Sequence, residues 1–191
     1  MEKKTFAIMQ EISGVEIRNL RKKLSLSQSA FGRLANVSVQ TIARWESSKE
    51  KISGPIVTLA KLLGEYPEIA VKFLIPEQKL PLRLWYMRNT DVCTIIDADE
   101  RHRKVEIYNY TTEKMNRAFG VREYPTYEDY EEFLESRCFP RTRDKMKLEL
   151  KRLDLPFYDP LMIIEKTEGR MAEDDFWIKI EKKSGNQVFH G

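Results

Sequence analysis

Between Leu24 and Glu46 the run LSLSQSAFGRLANVSVQTIARWE sets Ser, Gln, Thr and Arg against a spaced apolar framework. Gln40 can pair with an adenine edge through two hydrogen bonds. Thr41 can hydrogen-bond or touch a thymine methyl, and Arg44 can fork onto guanine or grip a phosphate. With Val39 beside them, these side chains have the chemistry of a surface that contacts double-stranded DNA. Ser27, Gln28 and Ser38 stand where helices should begin, so a side chain together with the free amides of the first turn can hold a phosphate oxygen. Lys49 and Lys51 follow and can neutralise further phosphates. Taken singly, each residue is as well explained by a solvated helix face; their clustering points to nucleic acid.

The elements that must position these residues are legible from caps and spacing. Ser13 followed by Glu16 is a capping box, which predicts a helix from Gly14 with Ile17, Leu20 and Leu24 inward and Arg18, Arg21, Lys22 and Lys23 on its other sides. Ser27 caps a second helix that turns Ala30, Phe31 and Leu34 inward, and Asn36 suits the tight corner ending it. Ser38 caps a third, with Ile42 and Trp45 inward. Ser53 as cap, Pro55 in the first turn and Gly64 as terminator delimit a fourth, whose stripe is Ile56, Leu59, Leu62 and Leu63. Pro67 opens a short fifth. Its Ile69, Ala70, Phe73 and Leu74 exceed what so small a bundle needs to cover itself, so Ile69, Phe73 and Leu74 are expected to form a dimer contact; a core role for all four is the alternative.

Residues 75–81, IPEQKLP, are the expected linker between an N-terminal arm (1–12) with a mainly α, five-helix domain (13–74) and a second domain (82–181), followed by a flexible tail (182–191). In the second domain LRLWYM, VCTIID and VEIYNYT have strand composition, the latter two flanking the polar DADERHRK of a turn. Thr126 with Asp129 caps a helix that places Tyr127, Tyr130, Phe133 and Leu134 on one face. Met146, Leu150 and Leu153 repeat at helical spacing, Asp159-Pro160 opens a helix ended by Gly169, and FWIKIE alternates like a strand. These predict a small α+β domain with an antiparallel sheet. Arg137, Arg141 and Arg143 form a cluster that could bind a phosphate or an acidic partner; pairing of Arg137 and Arg143 with Glu135 or the acidic run 173–175 is the equal alternative.

The stretch 13–74 resembles the Xre/Cro-type helix-turn-helix family, through LSQSAFGRLANVSVQTIARWE, with Gly32 and Ser48 as departures. The resemblance implies base or phosphate contact by Ser27, Gln28, Ser38, Gln40, Thr41 and Arg44. The continuation SGPIVTLAKLLGEYPEIAVKFL is similar to antitoxins of the HigA and MqsA kinds. A segment within 133–180, FLESRCFPRTRDKMKLELKRLDLPFYDPLMIIEKTEGRMAEDDFWIKI, is similar to one found in proteins associated with HipA-like kinase toxins, which implies a docking module for such a partner.

Charge agrees with this division. Residues 1–75 hold 12 Lys and Arg against 7 Asp and Glu, and the remainder 21 against 23, so a cationic first part precedes a slightly acidic second. Cys93 and Cys138 make no disulfide framework or zinc spacing, and no apolar run is long enough for a membrane helix. His102 and His190 sit in polar surroundings, and no phosphate-cradling Gly loop, HExxH or nucleophile elbow occurs. The expectation is a cytoplasmic, non-enzymatic repressor without cofactor or metal. It would bind a palindromic operator as a homodimer and hold a toxin, a HipA-like kinase or a ribonuclease, through its second domain. Three alternatives stay open: a protein-interaction module, a phage-type regulator without a toxin, and an enzyme holding a nucleotide on the three arginines.

Overall fold

The computed structural model describes residues 5–142 and 146–183; Arg143, His190, residues 1–4 of the expected arm and 184–191 of the expected tail lie outside the described residues. The chain divides into two compact units, 1–75 and 76–191.

In the first unit α1 (Gly14–Lys23), α2 (Gln28–Leu34) and α3 (Val39–Ser47) begin at Ser13, Ser27 and Ser38, whose side chains each accept the amide three residues on. Ser13 and Glu16 form the full capping box. α2 ends in a Schellman motif: Asn36 has φ 54°, its amide donates to the Arg33 carbonyl, and the Val37 amide donates to the Gly32 carbonyl. Gly32 belongs to that turn, since a Cβ there would lie 2.9 Å from the Val37 carbonyl oxygen. Ser48, at the end of α3, closes a local turn with the Glu50 amide and carbonyl.

Four expectations need correction here. β1 (Glu11–Ile12) pairs antiparallel with β2 (Ile52–Ser53), Ile12 opposite Ile52, and both isoleucines are buried, so the arm's last two residues belong to the folded unit. Ser53 therefore lies in a strand, and the N-cap of α4 (Pro55–Glu65) is Gly54 at φ 98°, a conformation open to glycine. Gly64 lies inside α4, which runs one residue further. On α4 the buried positions are Ile56, Val57, Ala60 and Leu63, while Leu62 faces outward, because the stripe drifts with the 3.6-residue period. α5 (Glu68–Lys72) follows Pro67.

The second unit is a four-stranded antiparallel sheet with helices on one face. β3 (Leu82–Arg88), β4 (Asp91–Asp99), β5 (Lys104–Asn109) and β6 (Phe176–Lys182) lie in the order β5-β4-β3-β6. Leu82, Leu84, Tyr86, Ile96, Ala98 and Ile178 share a core with Tyr130, Phe133 and Leu134 of α6 (Tyr127–Ser136) and with Ile163 and Ile164 of α8 (Pro160–Thr167). Leu150 joins them from α7 (Met146–Arg152). The Thr126–Asp129 capping box starts α6, and the Asp159 carboxylate accepts the Met162 amide to start α8. On the opposite face Arg83 sits directly across from Asp97, both buried, in a bidentate pair with 2.6 Å contacts.

Candidate nucleic-acid interface

The face presented by α3 follows from what its inner side must satisfy. Ile42 is wholly buried and Trp45 half-buried, and one turn past Ile42 comes Glu46, 4% exposed. Its carboxylate receives Arg21 Nε at 2.6 Å and Nη2 at 2.9 Å, and Gln28 Nε2 at 3.0 Å; Arg18 Nη2 donates to the Glu46 backbone carbonyl at 2.6 Å. This charged clamp ties α1 and α2 to α3. The Arg21 hydrogen bond, helped by Gln28 and by the charges of Arg21 and Arg18, holds the Glu46 carboxyl below its ordinary range against the cost of burial. Arg18 and Arg21 are thus not free phosphate ligands on the outside of α1. The sequence signal for the clamp is the Ile42 to Glu46 spacing of four, which places Glu46 on the core side.

α1 also approaches α3 through its backbone. A Cβ on Gly14 would lie 2.1 Å from the Trp45 carbonyl oxygen, so only glycine allows this crossing. With Ile42, Trp45 and Glu46 turned inward, Val39, Gln40, Ala43 and Arg44 are exposed along one face. Among the described residues the side chains of Gln40 and Arg44 have no hydrogen-bond or ionic partner. Thr41 is half-buried, and its hydroxyl meets the Ser38 hydroxyl at 3.0 Å while the Ser38 oxygen also caps its amide. Thr41 therefore borders the face rather than centring it. At α2 the Ser27 oxygen accepts the Ala30 amide at 3.1 Å, leaving the Gln28 and Ser29 amides of the first turn without an intrahelical acceptor. One Gln28 side-chain hydrogen is taken by Glu46 and the other is left. Lys49 is exposed, and Lys51, also exposed, makes a loose 3.8 Å pair with Glu11.

The candidate dimer residues divide. Ile69 is half-buried against the core of the first unit, whereas Phe73 and Leu74 are exposed beside a groove also lined by Leu26, Ala30 and Leu34.

The arginine cluster of the second unit does not form a ligand site around Arg137. That side chain is buried, its Nε donates to the Gly169 carbonyl at 3.0 Å, and its terminal nitrogens pair with Asp174 at 2.6 and 3.0 Å and with the Phe176 carbonyl. Arg137 therefore belongs to the framework that joins α6 to the start of β6. Arg141 is exposed and bonded to Glu135. Cys138 is buried, and burial pushes its thiol up to about 12, so it supplies no thiolate at neutral pH.

No helix among the described residues is long and apolar enough to cross a membrane. No curated protein matches the chain. Residues 17–67, from α1 to the proline before α5, match the helix-turn-helix family, an Xre-type assignment that supports a DNA-binding transcription regulator.

Proposed function

We propose that the chain is a sequence-specific, dimeric repressor of the antitoxin kind, which occupies an operator through α3 and holds a toxin partner through residues 82–181. The observation that carries the DNA contact is the exposed, unpartnered pair Gln40 and Arg44 on the helix that the clamp at Glu46 holds in place. Val39 and Thr41 flank that pair, and Ser27, Gln28, Ser38, Lys49 and Lys51 supply phosphate contacts. Dimerisation through Phe73, Leu74 and Ile69 doubles the contacts on a two-fold operator. The partner role is supported by the similarity of residues 53–74 to antitoxins and of the 133–180 segment to proteins associated with HipA-like kinases.

The test is selection of bound genomic fragments by the purified chain, followed by titration of the selected site. Gln40→Ala with Arg44→Ala should abolish discrimination between the selected site and random DNA, since each base contact is worth about 1–3 kcal/mol; unchanged discrimination would remove α3 from the reading role. For the partner, co-expression with the product of the adjacent reading frame should give a complex that is lost when residues 82–181 are deleted.

A further inference from the structure

The second unit carries a cleft of about 530 Å³ between the α6 face and the start of α8, and its chemistry is opposite to that of an arginine cluster. Six carboxylates line it, including Glu100, Glu131, Glu132, Glu135 and Asp159, against one cation, Arg141. Four are already engaged: Glu135 with Arg141, Glu128 and Glu131 with Arg103, and Asp159 as the α8 cap. Glu100 and Glu132 have no ion pair among the described residues.

A second feature marks the floor. Tyr130 lines the cleft with no exposed surface, and its Oη is buried without a hydrogen-bond partner. A buried hydroxyl left unpaired is unfavourable and uncommon in native proteins, and a donor entering from the cleft would satisfy it. The walls show which donor fits. Tyr127 and Tyr158 line the cleft, and each carries a guanidinium of this chain over its ring, Arg103 at 4.4 Å and Arg141 at 4.8 Å. The carboxylates are spread along the cleft, and no three acidic, His or Cys side chains among the described residues converge as a metal would require.

We propose that this cleft binds an arginine-bearing basic segment of a partner protein, with Glu100 and Glu132 as counter-charges and the Tyr130 hydroxyl accepting a guanidinium N–H. Charge complementarity selects the occupant, and two carboxylates without an ion pair among the described residues, Glu100 and Glu132, suit a segment with more than one cationic side chain. Burial first, then the neighbouring Asp159 and Glu165 charges against that of Lys182, push the Glu100 carboxyl above its ordinary range. The proposal rests on the partner-holding role given above and names where that role is performed.

Calorimetric titration of the full chain with the peptide Gly-Arg-Gly-Arg-Gly, its citrulline counterpart and spermidine tests it. The arginine peptide should bind and the citrulline peptide should not. Spermidine, which carries positive charge without a guanidinium, controls for general attraction to the acidic second unit. Glu100→Gln with Glu132→Gln should weaken the arginine peptide about tenfold or more and leave operator binding unchanged. Tyr130→Phe, which removes an unpartnered hydroxyl, should keep the melting temperature and still weaken the peptide. Equal binding of the citrulline peptide, indifference to the double substitution, or spermidine binding as tightly as the peptide would each overturn the assignment. If the peptide fails while deletion of residues 82–181 still abolishes the partner complex, the cleft is wrong and the partner role stands.

Discussion

Glu46 shows how one side chain converts sequence into a surface. It is a carboxylate at a core position, tolerable only because Arg21, Arg18 and Gln28 converge on it. Replacing it with Gln should destabilise the first unit by about 2 kcal/mol in chemical denaturation, below the largest losses for broken buried pairs because Arg18 and Arg21 can turn to water. The pH dependence follows from its sign. Glu46 is held below its ordinary value of 4.5 chiefly by the Arg21 hydrogen bond, and Asp174 below 3.8 chiefly by Arg137. A carboxyl depressed in the folded state contributes stability that is complete above its unfolded value and is lost as pH falls through the folded one. Melting temperature should therefore fall on acidification below about 4.5, and Glu46→Gln should flatten that slope for the first unit; an unchanged slope would show that the clamp is not the acid-sensitive group. In the second unit Arg137→Met should lower stability without altering operator affinity, since the side chain joins α6 to β6 internally.

At the scale of elements, the crossing of α1 over α3 depends on the missing side chain of Gly14. Gly14→Ala places a methyl against the Trp45 carbonyl, a backbone group that cannot swing aside, and should cost about 3 kcal/mol with a red-shifted Trp45 emission. Gly32→Ala would ordinarily gain about 1 kcal/mol of helix propensity. The 2.9 Å approach to the Val37 carbonyl should cancel that gain. The caps Ser13, Ser27, Ser38, Thr126 and Asp159 were legible because a cap is a local event, decided within four residues. The start of α4 lies at Gly54 and not at Ser53 because Ser53 is taken up by a strand pairing with Glu11–Ile12, some forty residues away in sequence.

For the whole molecule, the charge division and the two compact units predict separable behaviour. A fragment of residues 1–75 should fold and bind operator DNA with a steep dependence of affinity on salt, as expected when Lys and Arg release counterions from phosphate. Phe73→Asp should convert a dimer to a monomer in sedimentation and weaken operator binding. A chain that sediments as a monomer before substitution would remove Phe73, Leu74 and Ile69 from the dimer role.

What the sequence determined by itself is the five helices of the first unit, the strand and helix segments of the second, and the exposed face of α3, since spacing and caps report which side of a helix is apolar and where it starts; the β1–β2 pair was not among them. Gln40 and Arg44 were recoverable from that pattern alone. The tertiary structure decided how the polar side chains pair. Arg21 with Glu46, Arg83 with Asp97 and Arg137 with Asp174 are separated by 25, 14 and 37 residues, so local composition shows each only as a charge. Folding made Arg137 an internal brace and Arg141 one half of a surface pair, and it gathered scattered glutamates along a cleft that Tyr130 also lines. A helix face is written in residues three and four apart, whereas an ion pair or a cleft is written by whichever strands and helices the core brings together.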